Sequence, residues 1–478
     1  MMRVALAILC GVMLLACAEP AANGGTGGID LCSQVHCDDG DDCTEDVCDP
    51  TDPRVCVFFL APEETPCNGG GVCDGTGDCV ECNGDQDCKD DDHNECVSPR
   101  CENKTCGGMA VADFTPCSGG ACRAGRCEPT DLVLPCTEQG IRNAIAAGGG
   151  AYTFDCDGPT TVTTESEIII DNDVILGGGG DLTVHGGNDH RVFSVLDANT
   201  VWLDGIAVSG GFAINSCGGL LNEGTLTLSK TVVAGNAASS GGGGLCNSGT
   251  LTLLDSAVLG NSAKACAGVF NNGSLALTNS RVWANTAAAG GGGICSSGTL
   301  TATSSTVFGN SANDAGGIES SGTLTLTNST VSGNVAQERG GGIFNSGAAT
   351  VTSSTVSGNT TGGERGDVRN AGSLTMVGTL VDGGCAGGII SGGYNVESPG
   401  DTCGFDQLTD QVRVTAAQLS LGTLGDNGGP TRTHPLLPGS VAIDAIPESA
   451  CETAEDQRGV TRPQGDGCDV GSFEMEQP

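Results

Sequence analysis

The chain has 478 residues, among them 28 cysteines and 80 glycines, with 3% aromatic side chains and a formal charge of −39. A surface this acidic excludes nucleic acid and anionic membrane as partners, since both need basic surface. So few rings also exclude a large aromatic-cored globule, which leaves small side chains stacked in a repetitive architecture.

Arg3 and the apolar stretch Val4 to Leu15 form an export signal that is too short to span a bilayer comfortably. The stretch ends in Leu14-Leu15-Ala16-Cys17, which resembles the lipobox of bacterial lipoproteins. That resemblance implies lipidation at Cys17 after cleavage of residues ahead of it; an ordinary cleaved signal is the alternative. The expected location is the bacterial outer membrane or cell surface, with membrane contact through the lipid alone, because two or three acyl chains anchor a protein stably. Residues 18–31, rich in Gly, Ala and Asn, read as a flexible tether of roughly 20 Å reach. Export places the cysteines in an oxidising compartment, where they form disulfides. Removing Cys10 with the signal and Cys17 to lipid takes 28 to 26, an even number.

Residues 32–130 carry sixteen cysteines in two units of eight, from Cys32 to Cys79 and from Cys82 to Cys127. Ten residues separate Cys56 from Cys67 and Cys106 from Cys117, and Thr-Pro-Cys recurs at Cys67 and Cys117, so the units are a duplication. Neither unit holds enough apolar residues to fold unstapled, so four disulfides are expected in each, with connectivity open. The run Cys37 to Pro50 resembles cysteine-rich repeats attached to secreted proteins of Gram-negative soil bacteria. Between residues 31 and 130 stand 22 Asp and Glu against 6 Lys and Arg. Asp38, Asp39, Asp41, Asp42, Asp90, Asp91 and Asp92 are calcium candidates through their oxygen atoms, but their spacing matches no EF-hand loop, and a solvated acidic surface is the plainer reading. Zinc is disfavoured, because cysteines in an oxidising compartment lack paired histidines here. No other cofactor is expected.

Residues 131–210 begin a coiled region. Thr137 is an N-cap ahead of Ile141, Ala144 and Ile145, the spacing of a short amphipathic helix that plugs the end of a solenoid. Cys136 and Cys156 flank that helix and are placed to staple it to a strand over 152–156. Coils then begin near Ile168 and continue through Val174 and Val201 to Val208.

Over residues 211–384 the chain repeats every 24 or 25 residues, with glycine at Gly224, Gly249, Gly273, Gly298, Gly322, Gly347 and Gly372. Four positions after each glycine stand Leu228, Leu253, Leu277, Ala302, Leu326, Val351 and Met376; nine after it stands valine every time, from Val233 to Val381. A third apolar column precedes the glycine, from Leu220 to Val368. Local alternation has period two, so each unit is strands and turns. Stacked at roughly 4.8 Å, the columns become apolar ladders, and about ten coils make a rod of about 45 Å. The expected fold is all-β, a right-handed single-stranded parallel β-helix with an N-terminal cap helix, preceded by a small disulfide-rich stalk. Asn236, Asn261, Asn285, Asn310, Asn334 and Asn359 follow a small residue at a strand end, where asparagine tolerates a left-handed backbone and can bond its neighbours above and below. Cys217 and Cys246 are 29 apart, as are Cys266 and Cys295, which predicts two bridges between successive coils.

Residues 385–478 differ from the coils and contain Cys385, Cys403, Cys451 and Cys468, the remaining disulfide candidates. The region holds Gly393-Tyr-Asn, the run Gly425 to Ala445, Asp456-Gln-Arg-Gly-Val-Thr-Arg-Pro and Cys468-Asp-Val-Gly-Ser-Phe-Glu. With the coils, these motifs resemble the bacterial choice-of-anchor Q proteins over about residues 136–475. The coils alone are similar to those of polymorphic outer-membrane proteins and the pectate-lyase superfamily. The resemblance implies an extracellular β-helix with a variable anchor and no established activity; this chain departs from many members by carrying its anchor as an N-terminal lipid.

Three functions follow from these features. The first is a non-enzymatic, monomeric surface rod for adhesion, binding carbohydrate, matrix or a surface protein. The second is a polysaccharide lyase or glycoside hydrolase, which needs paired carboxylates at ~5 to 9.5 Å or a calcium cluster beside a base. Between 210 and 380 the acids do not recur at one repeat position, so no acidic groove is expected there. The catalytic candidates are instead Asp171, Asp173, Asp197 and Asp204 in the early coils, and Asp426, His434, Asp444, Asp456 and Arg458 in the terminal region, although turn and cap roles explain them better. His36, His93, His185 and His190 are dispersed and suggest no metal. The third is ice binding, by outward Thr-x-Thr pairs such as Thr225 with Thr227 and Thr323 with Thr325, an array that Ala276, Ala348 and Leu254 interrupt.

Overall fold

The computed structural model describes residues 132–476 apart from Gly363, and only strand segments ahead of residue 132. Cys17 and the seven calcium-candidate aspartates lie outside the described residues. The chain divides into two compact units, Met1–Val111 and Ala112–Pro478. Each cysteine-rich repeat contains a two-stranded antiparallel hairpin followed by a three-stranded antiparallel sheet. The hairpins pair Thr44–Cys48 with Cys56–Leu60 and Val97–Glu102 with Thr105–Ala110. The sheets run from Pro66–Cys67 to Cys79–Val80 and from Pro116–Cys117 to Arg126–Pro129. One topology thus recurs over the duplicated spacing.

Residues 132–399 wind as a parallel β-helix. One coil has four short strands, such as Ile318–Ser320, Thr323–Thr327, Thr330–Ser332 and Val335–Ala336, which lie on four faces taken here in that order. Each strand pairs in parallel with its counterpart one coil away, and the first face alone is a 10-stranded sheet. Val233 pairs with Val258, Leu228 with Leu253 and Leu220 with Leu245, and the register holds to Val381, Met376 and Val368. None of these column residues is more than 2% exposed, so each coil buries what it could not bury alone. The glycine column has a steric cause. A β-carbon on Gly249, Gly273, Gly298 or Gly322 would stand 2.0 Å from the carbonyl oxygen of the glycine one coil earlier, where no side chain fits.

Three polar ladders run beside the apolar ones. In the Asn236-to-Asn359 column each Oδ1 after the first accepts from the backbone N–H and the Nδ2 of the preceding asparagine, as Asn285 does from Asn261 at 3.0 Å, while Asn236 Oδ1 accepts from Gly211 N–H. The left-handed residue is the one before the asparagine, for example Gly260 at φ 61° and Ala284 at φ 55°, not the asparagine itself. The left-handed part of the expectation is therefore corrected, while the bonding to neighbours above and below is as expected: the amide serves as both donor and acceptor between coils. A second asparagine column passes through Asn222, Asn247 and Asn271, and a hydroxyl column through Ser256, Ser280, Ser305 and Ser329.

The helix Glu138–Ala147, capped by Thr137, buries Ile141, Ala144 and Ile145 at the N-terminal end of the core. Disulfides join Cys136 to Cys156, Cys217 to Cys246 and Cys266 to Cys295; in the terminal region Cys385 joins Cys403 and Cys451 joins Cys468. Cys403 and Phe405 close the other end of the core. The chain then returns along the third face, where Thr306 donates to Arg432 O, Thr330 to Gln457 Oε1, and Asn328 Nδ2 to Glu455 O.

Candidate functional site

The early aspartates do not converge. Asp171 is exposed at the end of a first-face strand, whereas Asp204 lies on the second face beside Gly177 and Ser229. Asp173 accepts from Thr200 N–H at 2.7 Å and Asp197 from Ala198 N–H at 2.8 Å, as turn-forming aspartates do. Among the described residues no group of His, Cys, Asp and Glu is arranged to hold a metal.

In the terminal region the candidates are engaged in holding the chain together. Asp456 accepts from the N–H groups of Arg458, Val460 and Glu474 and pairs with Arg458 at 2.8 Å. The Arg458 guanidinium lies 3.7 Å over the Phe473 ring. Arg462, 7% exposed, donates to Asp469 O and Gly471 O and sits 3.4 Å from Glu474. Burial pushes the Asp469 carboxyl up to about 7 against the pull of two backbone N–H donors. His434 Nδ1 faces Gly422 O, which can only accept, so that nitrogen carries the proton and Nε2 accepts from Ser332 Oγ. Burial lowers the His434 pKa, which keeps the ring neutral. Asp444 accepts from Gly467 N–H, and Asp426 from Gly428 N–H in an exposed turn.

The second face carries the threonine array. Thr225, Thr250, Ser274, Thr299 and Thr323 pair in register, as do Thr227, Thr252, Ala276, Thr301 and Thr325. From 225 to 377 its strands contain no charged or aromatic residue, so it offers nothing to move a proton or stack on a sugar ring.

The first face is different. Its outward column reads Cys246, Phe270, Cys295, Glu319, Phe344 and Arg369 in successive coils. A cleft of about 320 Å³ is lined by Phe270, Ser296, Ser297, Glu319 and Ser321; a second of about 320 Å³ is lined by Arg339, Val368, Arg369, Ala386 and Thr402. Between them the Arg339 guanidinium lies 5.1 Å over the Phe344 ring and its Nε is 3.4 Å from Asp314. Glu319 is half-buried, and desolvation followed by the charge of Asp314 raises its pKa, against the lowering effect of Arg339. Asp314 and Glu319 act on one another within one coil, a pairing that a search for acids recurring between repeat positions does not address. No one residue type occupies this column in successive coils, so a search for recurring residues passes over it; the bulky or charged exceptions to the small-residue pattern were the available signal.

No family model matches the sequence, and no curated protein matches it. Among solved structures, the crystal structure of pectate lyase Pel9A is similar over 72% of this chain and 96% of that one, at 15% identity and a TM-score of 0.45. With identity and score this low, the fold of this chain stands on its own strand pairing.

Proposed function

We propose that this chain is an exported surface protein, lipid-anchored at Cys17, whose β-helix binds an extracellular glycan along the first face without turning it over. The observation that carries this reading is the pair of clefts on the first face, one lined by Phe270 and Glu319 and the other by Arg339 and Arg369. An aromatic ring with convergent polar groups suits a sugar, and cleft volumes near 300 Å³ suit small rigid units. Two inter-coil disulfides end in the outward column at Cys246 and Cys295, which supports a stiff platform in an oxidising compartment. The likeness of the terminal motifs to choice-of-anchor Q proteins supports the surface setting. The test is a glycan array on the full chain: Phe270→Ala is expected to weaken the retained glycans by about tenfold, in keeping with ~1.5 kcal/mol for a ring contact. Unchanged binding would refute the first-face site. Labelling with a palmitate analogue, lost in Cys17→Ser, checks the anchor.

Glycoside hydrolysis is a second reading, favoured by one observation: Glu319 has the raised pKa of a general acid, with Asp314 near enough to shift it further. Reducing ends released from an array-positive glycan, and lost in Glu319→Gln while binding persists, would replace the binding reading with this one.

A further inference from the structure

We propose that the second cleft of the first face holds an anionic substituent of the bound glycan, a carboxylate or a sulfate, on the guanidinium of Arg369; this rests on the glycan reading above. The chain carries 58 acidic residues against 19 Lys and Arg, so its arginines are taken up by neighbours. Every other arginine whose side chain is described rests against a carboxylate or an aromatic ring, from Arg142 on Glu138 to Arg462 on Glu474. Arg369 is exposed and makes no ion pair or ring contact among the described residues.

Its position makes that unpaired charge useful. Arg369 follows Phe344 in the outward column and lines the cleft with Arg339, so a glycan unit entering that cleft brings its substituents to the guanidinium. Asp314 is committed to Arg339 at 3.4 Å, and Glu338, on the same lining, is exposed and makes no ion pair with Arg369. The planar fork of arginine donors matches two oxygens of a carboxylate or sulfate at once. The rest of the surface repels polyanions, so attraction to one must come from a local site.

The experiment compares hyaluronate, dextran sulfate and uncharged dextran on the full chain at physiological salt. At least one polyanion is expected to bind about tenfold or more tighter than dextran, the difference one guanidinium–anion pair supplies. Arg369→Gln removes that preference and Arg369→Lys restores part of it. Preference for hyaluronate alone names the carboxylate as the source, and for dextran sulfate alone the sulfate. If neither polyanion binds above dextran, or the preference survives Arg369→Gln, the anion site is overturned. Neutral array glycans that still depend on Phe270 would then leave the glycan reading standing, whereas independence from Phe270 would remove that reading by itself.

Discussion

Asn285→Ala is the sharpest test of how the coils hold together. The side chain is fully buried; its Oδ1 accepts from the N–H and Nδ2 of Asn261 at 3.0 Å, and its Nδ2 donates to Val258 O at 3.1 Å and to Asn310 Oδ1 at 2.9 Å. Alanine removes all four bonds and strands the Asn261 N–H without water. At ~1 kcal/mol per bond the loss is about 4 kcal/mol. Asn272→Ala is the control, one position before Gly273 and exposed, where one hydroxyl contact from Ser297 is lost and the cost is at most about 0.5 kcal/mol. Guanidinium unfolding of the full chain, followed by the fluorescence of Trp202 and Trp283, reads both variants against wild type. If Asn285→Ala unfolds within about 0.5 kcal/mol of Asn272→Ala, the ladder contributes nothing beyond strand pairing and the reasoning fails.

Two further outcomes follow from other parts of the molecule. The folded chain prefers Asp469 protonated, since its carboxyl is raised from 3.8 to about 7. Its contribution to stability is therefore complete below about pH 4 and lost as the pH rises through 7. Melting curves of wild type and Asp469→Asn should diverge over that interval, with the variant losing less on the way up; parallel curves would show that the carboxyl is not held protonated. On the second face, Ala276, Ala348 and Leu254 leave gaps in the hydroxyl array, so the full chain is expected to give no thermal hysteresis in a nanolitre osmometer. A measurable freezing-point gap would reverse that expectation and move attention from the first face to the second.

The fold was legible because a solenoid writes its contacts into the sequence at fixed intervals. Every inward column holds one residue type class per coil, so Val233 to Val381 could be read as a stack before any pairing was seen. The asparagine column and its bonding between coils were equally visible, but spacing locates Asn285 and does not say that the left-handed turn falls on Ala284. The serine ladder went unread because serine is common everywhere in this chain. The first-face cleft was hidden for a different cause. Outward residues are free to differ from coil to coil, so Phe270, Glu319, Phe344 and Arg369 form no run of one type, and Asp314 belongs to a turn, not a strand. In the terminal region His434 packs against a coil through Ser332, Asp456 and Arg458 hold that region to itself through Glu474 and Phe473, and Asp426 stays in an exposed turn.

The return of the chain along the third face begins at Ser304, whose carbonyl accepts from Thr431, and reaches Leu380 and Val396. Growth of the rod is therefore unequal along its length. An in-frame duplication of 24 or 25 codons ahead of Gly298 adds a coil with its own ladders and leaves the returning segment in register. The same insertion after it would slide Thr306, Thr330 and Ser332 away from Arg432, Gln457 and His434. Descendants of this gene can lengthen from the front half alone, and variation in coil number should collect there.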